Sequence, residues 1–255
     1  MGNTKAIFIT LISVLFLGVN LSAWANLIST TNLGRTLVGK AYDAKTQVYL
    51  YAEGHVFNDD PANASMTSRY SDPSGKMIAQ KVVRFEWDRV TEFEFEQNEV
   101  GVARKLVRKP SSISYSSTKN NKTSNKKFAL KPNKEVIVDA GLFNVVGRNW
   151  QALLDGEKIK FDLAMPDKKR TINMEMALAE MSGSTAAKVT DGDDLVLFSM
   201  NVTSRLLRVM APTIELGYYK DTKQLAFYKG PSNLIDENGK AMRPIYVVYE
   251  RAETS

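Results

Sequence analysis

The chain contains no cysteine and a single histidine, His55. Without cysteine there can be no disulfide staple, thiol nucleophile, thiolate metal ligand or lipid-modified cysteine. A lone histidine excludes a histidine-rich metal site and confines any Ser-His-acid triad to one place. No metal and no other cofactor is expected. There is no G-x-S-x-G nucleophile elbow, and Gly34 and Gly39 do not make a dinucleotide-binding loop. Patterns typical of nucleic-acid-binding modules are missing as well. The balance of 34 basic against 28 acidic residues, net +6, is too slight to point to a nucleic-acid partner. After residue 25 no apolar run is long enough to span a membrane.

The N-terminus carries the first positive signal. Met1–Lys5 holds one positive charge, Ala6–Val19 is almost wholly apolar, and Ala23-Trp24-Ala25 supplies the small residues of a signal-peptidase site. The apolar run falls short of the roughly 20 residues that cross a bilayer. We therefore expect a signal peptide over 1–25, cleaved after Ala25, and a single β-rich domain over 26–255. Cleavage removes one lysine and no acid, which leaves net +5.

Most of the remaining chain alternates with the period of two that marks half-buried strands. Strand patterns are read at 35–42, 47–56, 66–71, 77–87, around Phe93 and Phe95, and at 100–109 and 112–117. They resume at 158–165, 171–178, 213–219, 224–229 and 245–251. Turn chemistry separates them, most clearly at Asp72-Pro73-Ser74-Gly75, where proline presets φ and glycine accepts a positive φ. The basic, apolar-free run Ser116–Lys127 reads as a loop. On 77–87, Val83, Phe85 and Trp87 fall on one face. Such spacing predicts a mainly β fold: a meandering antiparallel sheet curled into a barrel or half-barrel.

One segment changes period. Leu142, Val146, Trp150, Leu153 and Leu154 recur at helical spacing, with Asp139 where an N-cap belongs and Gly156 where a C′ glycine belongs. One main helix, about 140–155, should cover or fill the curled sheet. The stretch 195–210 fits either a strand or a helix.

No residue is marked as catalytic. The candidate ligand-binding residues are Tyr49, Tyr51, Glu53 and His55, a polar row on one face of 47–56, together with Trp150 on the helix. Glu53 could act as a base or orienting carboxylate and His55 as a proton carrier. A simply solvated strand face produces the same row. The methionines Met165, Met174, Met176, Met200 and Met210 would suit an irregular apolar ligand, and also an ordinary core.

Three stretches together resemble a group of uncharacterised exported proteins of Gram-negative bacteria. They are Arg69–Ala79, Asp139–Phe143 running into Asn149-Trp150, and Tyr228–Asn233. That resemblance implies a periplasmic location and transfers no catalytic residue. At the level of fold, a curled sheet with a covering helix looks like the lipoprotein-carrier half-barrels of the envelope. The expected function is non-enzymatic: binding a lipid or other apolar or amphipathic envelope ligand, or a protein partner. The alternatives are a hydrolase working through Glu53 and His55 on envelope material, and a structural or assembly partner of the envelope.

Overall fold

The computed structural model describes residues 36–131, 135–166, 169–190, 194–204 and 212–251. The expected signal peptide lies outside these residues, as do 205–210 of the ambiguous stretch.

The N-terminal strands run outward from the middle of the sheet in a meander. They are β1 (Thr36–Asp43), β2 (Tyr49–Asn58), β3 (Ser65–Ser71), β4 (Met77–Glu86), β5 (Arg89–Gln97), β6 (Val102–Lys109), β7 (Ser112–Lys119) and β8 (Lys122–Ala129). The second half runs back inward. It comprises β9 (Val136–Val138), β10 (Ile159–Met165), β11 (Arg170–Ala179), β12 (Leu195–Val202), β13 (Ile214–Tyr219), β14 (Leu225–Gly230) and β15 (Ile245–Tyr249). β1 pairs with β15, joining the halves into one fifteen-stranded sheet whose edges are β8 and β9. Every pairing is antiparallel except that of β9 with β10, which is parallel.

The sheet is not closed edge to edge. β9 packs on β5, and Arg108 of β6 donates to the Val136 carbonyl at 2.7 Å. The curl thus brings one edge against strands well inside the other, while Ile113 and Tyr115 of β7 remain in the core and Ser124 of β8 accepts from Lys169 in the β10–β11 turn. Inward-facing side chains such as Met66, Val83, Phe95, Leu106, Phe198 and Met200 form one continuous core.

The expected single helix is broken in two. α1 (Gly141–Arg148) and α2 (Trp150–Leu154) are separated by Asn149, at φ −106° and ψ 15°. The Val145 carbonyl still accepts the Asn149 backbone N–H at 3.2 Å, and the Asn149 side chain adds a second donor to it at 2.8 Å, a back-bond that bends a helix. Val145, Val146, Trp150 and Leu153 enter the core, so the pair covers the sheet as expected. Gly156 does hold a positive φ of 87°, as a C′ residue should. Asp139 is not the cap. It sits at φ 40°, and the helix starts from Ala140 without a side-chain cap.

Two further readings are corrected, and one that sequence left open is resolved. Residues 116–127 are not a loop but most of the β7–β8 hairpin, turning at Asn120-Asn121 with φ of 49° and 60°. Asparagine tolerates that left-handed region and suits a two-residue turn. The hairpin is legible only from its turn, because β8 is exposed along nearly its whole length and needs no apolar alternation. Next, 195–202 is a strand. Its helical look arises because both faces are covered. Phe198 and Met200 point into the main core, while Leu197 packs with Phe227 and Tyr246 beneath a short outer helix, α3 (Thr185–Val189). Last, Trp87 does not share the face of Val83. The β4–β5 register shifts after Arg84, and Trp87 occupies the turn, 92% exposed.

Candidate functional site

The polar row of β2 faces inward. Tyr51, Glu53 and His55 are buried, while Val48 on the apolar face is mostly exposed. Register explains what they meet. Across the sheet, His55 is paired with Ser68 of β3, Ser68 with Lys81 of β4, Lys81 with Phe95 of β5, and Phe95 with Arg104 of β6. An adjacent row joins Gly39, Glu53 and Tyr70, with Gly39 also opposite Tyr249 of β15. Side chains in one row share a face, so the curl gathers these polar groups inside the sheet.

Gly39 makes one contact possible. A Cβ there would lie 2.6 Å from Tyr249 Cδ1. Without it, the Tyr249 ring crosses over β1 and its hydroxyl donates to Glu53 Oε1 at 2.5 Å. His55 Nε2 is 3.1 Å from the same oxygen, and His55 Nδ1 is 2.7 Å from Ser68 Oγ. Because a carboxylate only accepts, Nε2 carries the hydrogen of the His55–Glu53 bond. Lys81 Nζ donates to Asp139 Oδ1 at 2.7 Å, and the same oxygen accepts the Ala140 backbone N–H. The left-handed turn at Asp139 is what aims its carboxylate at Lys81.

Glu53 and Lys81 are buried and hold their ionised forms. Burial alone would raise the Glu53 pKa. Hydrogen bonds from His55 and Tyr249, with the nearby Lys81 charge, outweigh it and leave the carboxyl below its ordinary value. Burial likewise works against the Lys81 ammonium, yet Asp139 and Glu53 beside it push its pKa above the ordinary value. Tyr70 is driven up to about 12, mainly by burial. Tyr51 and Tyr249 are raised by burial and then by the Glu53 charge, so both remain neutral phenols.

Around this cluster lies a cavity of about 260 Å³. Tyr51, Glu53, His55, Tyr70, Lys81 and Asp139 give it a polar side, and Met66, Phe93, Leu142, Met200, Leu216 and Leu234 are among its apolar walls. Hydrogen-bonding capacity is left over. Among the described residues Glu53 Oε2 accepts no hydrogen bond, and two of the three Lys81 N–H groups have no partner. A second cavity of about 1040 Å³ lies beside α1 and shares Phe143, Tyr218 and Leu225 with the first. The Tyr218 hydroxyl is buried without a hydrogen-bond partner among the described residues.

Of the five candidates read from sequence, Tyr51, Glu53 and His55 meet in the inner cavity. Trp150 lines the outer one, with its ring edge-on to Phe198 and Tyr218 at 5.5 and 5.8 Å. Tyr49 lines neither. The β1–β2 register shifts between Ala41 and Tyr42, and Tyr49 instead packs on Tyr42 with ring centroids 5.6 Å apart. Sequence reasoning missed Tyr70, Lys81, Asp139 and Tyr249. Lys81 did carry a signal, as a lone cation in the otherwise apolar row Ala79, Val83, Phe85.

The Ser68–His55–Glu53 chain has the connectivity of a proton relay, but Ser68 is wholly buried and does not line the cavity. Its hydroxyl is therefore not placed to attack a bound substrate. No cluster of three potential metal ligands occurs among the described residues. No helix among them is long and apolar enough to cross a membrane.

No protein-family model matches the chain, and no curated protein matches it. Its fold is similar to a crystal structure of a β-barrel-like protein from Brucella abortus, a domain of unknown function (DUF1849). The TM-score is 0.50 at 9% identity, over 85% of this chain and 95% of that one. Identity this low shows the fold alone: the chain shares a barrel-like β architecture with a protein of unknown function.

Proposed function

We propose that the protein is an exported, non-enzymatic binding protein that holds a small amphipathic molecule in the inner cavity. The polar end of the ligand would supply a donor to Glu53 and an acceptor to Lys81, and its apolar part would lie along walls such as Met66, Phe93 and Leu216. A single observation carries this reading: ionised groups are buried around a cavity with hydrogen-bonding capacity to spare. Burying charge is costly, and well-packed apolar residues in the same place are often as stable or more so. Unfilled buried polar groups point to a water, an ion or a ligand. A hydrolytic role is less well supported, because Glu53 Oε1 and both His55 nitrogens are already engaged by protein partners.

Two measurements test this reading. Native mass spectrometry of protein recovered from its own host should show a co-purifying small molecule released on unfolding. Clean apo protein at that stage would sink the proposal. Export is supported by the apolar run 6–19 and the Ala23-x-Ala25 site, and we place the mature protein in the periplasm. Sequencing the N-terminus of the exported form should read from Asn26, and a retained Met1 would overturn export by cleavage.

A further inference from the structure

We propose that the protein docks on an anionic lipid bilayer through Trp87, with the outer cavity facing the membrane. The inference rests on the reading of the protein as a carrier of an amphipathic molecule, since such a cargo must be exchanged with a lipid surface.

Trp87 is the first residue of the two-residue turn between β4 and β5, where Glu86 pairs with Arg89. Its φ is 59°, a region that glycine occupies freely and a bulky residue enters only under strain. The side chain recovers nothing from the fold in return, because it stands 92% exposed at the rim of the outer cavity. A costly conformation that presents an indole to solvent points to a contact made outside the chain. Indole suits a bilayer interface, with an apolar body and a polar N–H.

The turn is also held in place. The Asp88 carbonyl accepts from Asn144 of α1 at 3.0 Å, and the Asp88 carboxylate accepts from Arg148 at 2.5 Å. Arg148 in addition pairs with Glu135. Trp87 is thus a fixed projection beside α1. The charge nearby favours an anionic surface. Arg89, Arg108 and Lys223 make no salt bridge among the described residues; Arg108 lies near both Arg89 and Asp88 with its guanidinium on the Val136 carbonyl, and Lys223 lies over the Trp150 ring at 5.5 Å. Glu86 and Asp88 are the opposing charges on the same turn, and Asp88 is held by Arg148. Each basic group brought to an anionic leaflet strengthens binding by roughly fivefold.

Co-sedimentation with phosphatidylethanolamine vesicles, with and without phosphatidylglycerol, tests the proposal. Wild type should sediment with the phosphatidylglycerol vesicles and be released by salt. Trp87→Gly should weaken binding by at least about tenfold, the scale for withdrawing one large aromatic side chain from water. Its melting temperature should be no lower than that of wild type, because glycine relieves the turn. Bromine-labelled acyl chains should quench a portion of wild-type fluorescence that W87G lacks. No vesicle binding, or binding unchanged in W87G, would overturn the proposal. Binding to native envelope vesicles but not to pure lipid would overturn it too, by assigning this face to a protein partner. Vesicle binding by wild type that carries no small molecule would instead count against the cargo reading and leave the docking face standing.

Discussion

Lys81→Met is expected to destabilise the protein by about 3–5 kcal/mol, the cost of leaving one member of a buried ion pair without its partner. Methionine keeps most of the volume but leaves the largely buried Asp139 carboxylate near Tyr70 without its cation. The contribution of Lys81 is present in full at neutral pH. Its pKa is raised in the fold, so the stabilisation persists below the ordinary lysine value of about 10.4 and is lost only as pH rises through the folded value. Urea unfolding at pH 7 measures the loss. A companion variant separates stability from binding. In Lys81→Met with Asp139→Asn both charges are gone, while asparagine still tolerates the positive φ and still offers an oxygen to the Ala140 N–H. This double variant should be at least as stable as wild type and should carry no ligand in native mass spectra. A double variant that retains the molecule would remove Lys81 from the binding site.

Glu53→Gln should cost about 2–3 kcal/mol, the scale of hydrogen bonds to a charged group. The amide cannot supply the charge that holds Tyr249, His55 and Lys81 together, and its NH2 adds donors where donors already converge. The acid limb of the stability profile should change as well. Glu53 is depressed in the fold, so its stabilisation is complete above the unfolded carboxyl value of about 4.3 and is lost as pH falls through the folded value. Wild type should therefore lose stability below about pH 4 more steeply than the glutamine variant. Parallel acid limbs would show that Glu53 is not the ionised centre of the cluster.

How far the site could be read from sequence depended on distance along the chain. Tyr51, Glu53 and His55 lie on one strand, so alternation alone put them on one face. Which face points inward was not legible, because this sheet has charged groups inside and Val48 outside. Lys81 was visible as an exception within an apolar row. Its meaning needed Asp139, which helical spacing assigned to a cap. Tyr249 reaches Glu53 across 196 residues, and no local pattern encodes that register. The mainly antiparallel sheet was legible because hairpins repeat every few residues. Strand 195–202 was not, because a strand buried on both faces loses its period of two. The break at Asn149 was hidden by a continuous apolar stripe.

The pairing of β1 with β15 has a kinetic meaning. β1 forms early in synthesis, yet its second neighbour is among the last strands to appear. Until Ile245–Tyr249 arrive, β1 keeps an open edge, and Glu53 lacks the hydroxyl of Tyr249. Contacts of such sequence separation slow folding, and unpaired edges invite aggregation in the interval. A chain whose sheet stays incomplete until the last of the described strands is available cannot finish folding from its N-terminal half alone.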